Sequence, residues 1–131
     1  MTFDEQYERA LSFLPDDTAA AAKGFRLMRR RALRLGDKQA AWLALEGLRN
    51  VSRFTGNQRW NLQLCRALVK EQRDAFRLMT LAIIEFETGR LQLAEEHLVE
   101  AISLAEVDGK IDMRPWHIML AKIRLAARPS Q

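Results

Sequence analysis

Two histidines, one cysteine and a few clustered carboxylates are the side chains here best suited to acid–base, nucleophilic or metal chemistry. His97 and His117 stand alone, and no Cys/His/Asp group has the spacing that a metal requires. Cys65 falls inside an apolar helical pattern and reads as a structural thiol. Glu95, Glu96 and Glu100 fit a solvated helix face, and Trp116-His117 fits packing with a polar tip. No glycine-rich phosphate loop and no Gly-x-Ser-x-Gly elbow is present. Catalysis, a bound metal and a cofactor are therefore not expected. The cations are a different matter. Lys23, Arg26, Arg30 and Arg34 recur at helical spacing, on the face opposite Ala21, Phe25, Met28 and Ala32. Arg59, Arg66, Lys70 and Arg73 make a second stripe. Either stripe suits an acidic protein or a phosphate backbone, which arginine grips in a forked manner. No helix-turn-helix, zinc finger or stacking motif accompanies them, so nucleic-acid binding rests on charge alone. A plain solvated face is the simpler account.

Charge is also unevenly distributed along the chain. Residues 1–22 hold five acids and one base, and residues 23–77 hold fourteen bases and four acids. Residues 78–112 then reverse the sign with eight acids and two bases, and residues 113–131 hold four bases and no acid. Such segregation steers partners, or copies of the protein itself, toward one another.

The elements that must position these groups are helices. Helix formers dominate, and no run alternates apolar and polar as a half-buried strand does. At 131 residues, 48% of them hydrophobic, the chain fits a single all-α domain, residues 1–131. Thr2 with Glu5 is a capping box for a helix from Phe3 to Leu14, stopped by Pro15. Asp16, Asp17 and Thr18 supply caps for a second helix that Gly36 ends. Asp37 caps a third, which closes at the turn Thr55-Gly56-Asn57, where Asn57 caps the next helix. Between Gln58 and Thr88 there is neither glycine nor proline, so one long helix would fit. A break near Glu71-Gln72-Arg73-Asp74 is preferred, because four polar residues fall together and Asp74 can cap. Gly89 separates the fifth helix from the sixth, which ends at Asp108-Gly109. Asp112 caps a seventh with Pro115 in its first turn, and Pro129 closes the tail.

The pairs Ala32-Leu33, Ala67-Leu68 and Ala101-Ile102 recur at a period near 34 residues, as stacked helical hairpins do. Leu78, Leu81, Ala82, Gly89, Leu91, Ala94, Leu98, Ala101 and Leu104 sit at the spacings of a tetratricopeptide repeat, and this segment resembles one full copy. Glu85 departs from the family's aromatic preference, with Phe86 beside it. Ala44, Gly47 and Leu48 match more loosely in the hairpin before it. The resemblance implies three stacked antiparallel hairpins, about 3–35, 37–72 and 74–107, with a capping helix at about 112–127. It further implies a concave binding face along the first helix of each pair. That would place Tyr7 and Ala10, then Trp42, Leu45 and Arg49, then Phe76, Met79 and Ile83 in an apolar groove, continued by Arg53 and Phe86.

The expectation is a helical adaptor or chaperone that holds a peptide or amphipathic helix of another protein in this groove. A small basic subunit that binds nucleic acid is the alternative, and self-association is a further option. The lone cysteine, the absence of a secretory signal pattern at Met1-Thr2-Phe3 and the lack of any membrane-length apolar run point to a cytoplasmic setting.

Overall fold

A computed structural model describes residues 1–128; Pro129 lies outside the described residues. Those residues form seven α-helices and no strand: α1 (Phe3–Leu11), α2 (Thr18–Arg34), α3 (Lys38–Thr55), α4 (Gln58–Glu71), α5 (Ala75–Glu87), α6 (Leu91–Asp108) and α7 (Arg114–Ala127). Local side chains set most of the boundaries. Asp17, Asp37 and Asp74 each accept the N–H three residues ahead, from Ala20, Ala40 and Arg77 at 3.0, 3.0 and 2.9 Å. Asn57 does the same for Trp60, and Thr2 and Glu5 form the reciprocal capping box. The cap at Asp74 divides residues 58–88 into two helices. Gly36 takes φ +71°, and the Asp37 N–H then reaches back to the Ala32 carbonyl at 2.9 Å, a helix end that needs a residue without Cβ strain.

Two boundaries differ from expectation. The first helix stops at Leu11, where the chain tightens: the Phe13 and Leu14 N–H groups bond only three residues back, to Ala10 and Leu11. Asp112 accepts the Arg114 N–H at 3.1 Å and holds its guanidinium, but Met113 is the residue at the cap position of α7.

The helices group into two compact units, Met1–Glu71 and the residues from Gln72 onward, where the sequence suggests a single domain. In the first unit α3 packs against both α2 and α4, and α1 lies against α2. Phe25 is fully buried at the centre. Its ring rests on Gly47 of α3, where any Cβ would collide with it, and Tyr7 of α1 packs against its other side at 5.2 Å between ring centroids. Gly24 allows a second close approach, since a Cβ there would stand 2.8 Å from that of Ala10. Trp42 is buried beside this cluster and donates its indole N–H to the Leu68 carbonyl at 3.1 Å. Arg29 ties three helices together by donating to the Ala41 carbonyl at 2.9 Å and pairing with Glu71.

The second unit is the α5–α6 hairpin with α7 laid on α6. Ala82, Ala94, Ala101 and Ala105 are buried, and Leu78, Leu81 and Leu98 fill the space between them. Among the other repeat-spaced leucines, Leu91 is half-buried and Leu104 is 40% exposed. Phe76 packs edge-on against Trp116 at 5.6 Å, which fastens α7 to the start of α5. Arg124 reaches Glu95 at 2.9 Å. Arg73 binds both oxygens of Glu100, and this hydrogen-bonded guanidinium holds the carboxyl below its ordinary range. The pair therefore adds stability above the ordinary glutamate range and loses it as pH falls through the depressed value. Both side chains are more than a third exposed, so solvent screening keeps that gain below about 1 kcal/mol.

Glu85 is the unusual core residue, fully buried, with one carboxylate oxygen 2.6 Å from His97 Nδ1 and the other without a partner among the described residues. Removing the hydrogen-bond partner of a buried polar group leaves that group unsatisfied, at a cost of up to about 3 kcal/mol, whereas an apolar pair of similar volume avoids that penalty. His97→Leu is thus expected to lower unfolding stability by up to about 3 kcal/mol, and adding Glu85→Leu to recover most of it. Urea unfolding of the two single variants and the double variant measures the coupling; additive effects would exclude it.

Candidate functional site

The groups suited to acid–base and nucleophilic chemistry are dispersed or enclosed. His97 is occupied by Glu85, Cys65 is 2% exposed, and no group of three or more His, Cys, Asp or Glu among the described residues could hold a metal ion.

The expected groove residues divide between the units. Tyr7, Trp42, Leu45, Arg49 and Arg53 belong to the first, and Phe76, Met79, Ile83 and Phe86 to the second. Trp42 and Leu45 need correction: they are 6% and 5% exposed and face the core. The reason is the position of α3, whose apolar stripe is covered by neighbours on both sides. Tyr7 and Arg49 are half-buried, while Arg53 is exposed. In the second unit Met79, Ile83 and Phe86 are half-buried, and Phe76 stands half-exposed against Trp116. Phe76 also borders a cleft of about 450 Å³ between the start of α5 and the end of α6. Leu104 and Ile111 form part of its apolar wall, and Arg73 and Asp74 at its edge are already engaged by Glu100 and the α5 cap.

The basic stripes survive almost intact. Lys23, Arg26, Arg30 and Arg34 on α2 are exposed, as are Arg59, Arg66 and Lys70 on α4. None of these seven has a carboxylate partner among the described residues. The Arg26 guanidinium lies over the Trp60 ring at 5.7 Å, which joins the α2 stripe to the first turn of α4. Arg73 is the exception, because it belongs to the second unit and is held by Glu100. In the first unit Glu5, Asp17 and Asp37 cap helices and Glu71 holds Arg29, so these four acids are committed elsewhere.

Two features of this face are not among the expected site residues. Arg29 and Arg31, which flank Arg30 in sequence, turn inward; Arg31 stacks over the Phe3 ring at 4.3 Å and donates to Gln6. Leu27 and Leu33 stand among the cations at 46% and 57% exposure. Leu27 lies four residues after Lys23, three before Arg30 and seven before Arg34, so these side chains share one surface. Its position off the Ala21/Phe25/Met28/Ala32 stripe is the sequence signal that identifies it as external.

Core and surface assignments predict different responses. Trp42→Ala should lower stability by about 3–5 kcal/mol through cavity formation and loss of the bond to Leu68, whereas Phe76→Ala, half-exposed, should lose about 1 kcal/mol. Chemical denaturation of both variants checks this, and a Trp42→Ala loss no larger than that of Phe76→Ala would remove Trp42 from the core. Compared with models of protein families, with curated proteins and with solved structures, the chain matches none of them.

Proposed function

We propose that this protein is a non-enzymatic interaction module that captures an acidic amphipathic segment of a partner protein on the α2/α4 face of its first unit. The observation that carries this reading is the set of seven exposed cations without carboxylate partners among the described residues, with Leu27 and Leu33 standing between those of α2. A carboxylate-rich helix with its own apolar residues complements both parts at once. The carboxylates satisfy the guanidinium groups, and the apolar side chains cover the leucines. From Lys23 to Arg34 the α2 stripe spans about 16 Å, three turns of such a helix. Exposed ion pairs contribute about 0.2–1 kcal/mol each, so several must act together, with apolar burial adding to them. The module works in a reducing compartment, where the buried Cys65 stays a thiol.

A titration with a designed peptide probe tests this, using glutamates and leucines at helical spacing and a control in which serine replaces the leucines. Arg30→Glu with Arg34→Glu should weaken binding about tenfold or more, and Leu27→Ser should weaken it several-fold without disturbing helicity. Tight binding of an RNA or DNA oligonucleotide that is indifferent to Leu27→Ser and falls steeply with salt would favour a nucleic-acid ligand. No binding by the acidic probe at low salt would end the reading.

A further inference from the structure

The seventh helix has two apolar faces, and α6 covers only one. Trp116, Leu120 and Ile123 are buried. About half a turn away around the helix, Ile118 and Leu125 are 58% and 61% exposed, with exposed Ala121 between them. Lys122 borders this stripe and Arg128 lies just past the helix end. Both are exposed, and neither has a carboxylate partner among the described residues. Two large aliphatic side chains on the open side of a helix, set among cations, form a surface that favours an acidic apolar complement.

The same chain supplies that complement. On α1, Asp4, Glu8 and Leu11 share one exposed stripe at spacings of four and three, and Leu11 is 39% exposed. Met1, at 64% exposure, extends the apolar edge. Arg9, next to Glu8, falls about 100° off the stripe. Residues 1–22 carry five acids to one base, and residues 113–131 carry four bases and no acid, so the two segments are opposite in sign and equal in the size of their net charge. We infer that the outer face of α7 docks on the outer face of α1 of a second copy of this chain. Ile118 and Leu125 then cover Leu11, and Lys122 and Arg128 meet Asp4 and Glu8. The contact uses two different surfaces, so it is heterologous and continues into a chain of copies or closes as a ring. One helix laid on another buries less than the roughly 1,200 Å² of a stable interface, so the association is weak and appears at high protein concentration.

Sedimentation equilibrium on the full chain tests this. At low salt the average mass should rise with concentration up to about 1 mM protein, and the association constant should fall several-fold at high salt. Leu125→Ser should weaken association about tenfold, as should Asp4→Lys with Glu8→Lys on one face, or Lys122→Glu with Arg128→Glu on the other. An equal mixture of the two charge-reversed proteins should associate again, because each meets a complementary face on the other. Only folded variants can do that, and circular dichroism verifies each. Arg30→Glu with Arg34→Glu should leave self-association unchanged, which separates this contact from acidic-partner capture on α2 and α4. A monomer at all concentrations, association unaffected by Leu125→Ser, or failure of the mixture to recover would each overturn the inference.

Discussion

The first unit depends on one ring lying on one glycine. Phe25 is fully buried because α3 offers Gly47 at the point of contact, so the two helix backbones approach closely around an aromatic side chain. Burial of that ring contributes on the order of 2–3 kcal/mol. Its larger role is to fix the depth and register of α2 on α3. The side chains flanking it inherit that register: Ala21, Met28 and Ala32 face inward, and Lys23, Leu27, Arg30 and Arg34 face out. The cationic surface is thus set by packing on the opposite side of the same helix.

The second unit achieves close helix contact differently. Buried alanines of α5 and α6 let the hairpin close, with leucines between them and the buried Glu85 held by His97, while Phe76 against Trp116 fastens α7. Three ion pairs join separate segments within a unit: Arg29 with Glu71 in the first, and Arg73 with Glu100 and Arg124 with Glu95 in the second. The exposed cations of α2 and α4 have no such carboxylate partner among the described residues.

Much of the fold was legible because its signals are local. Asp17, Asp37, Asn57 and Asp74 announced their helices by residue type and position, and Asp74 resolved the long uninterrupted stretch correctly. The buried face of the α5–α6 hairpin was readable from leucine and alanine spacing. Where the reading failed, the missing information was three-dimensional. An aromatic at helical spacing looks the same whether its helix has one neighbour or two, and α3 has covering neighbours on both sides, which puts Trp42 inside. In the run Arg29-Arg30-Arg31, composition cannot tell which guanidinium finds Glu71, which finds Phe3 and which stays in water. The division into two compact units follows from contacts between distant residues, on which a 34-residue period is silent.

The capping carboxylates and amides have a kinetic meaning as well. Each closes a ring within four residues, so the start of a helix is specified by its own turn before any tertiary contact exists. Loop closure over such short distances costs little entropy, and chains built mainly from contacts near in sequence fold quickly. Helix–coil ordering over segments of this length is a microsecond process, so limits set by local caps require no long search. The slower search is left to the side chains that must find a distant mate, and Phe25, twenty-two residues from Gly47, is the foremost of them.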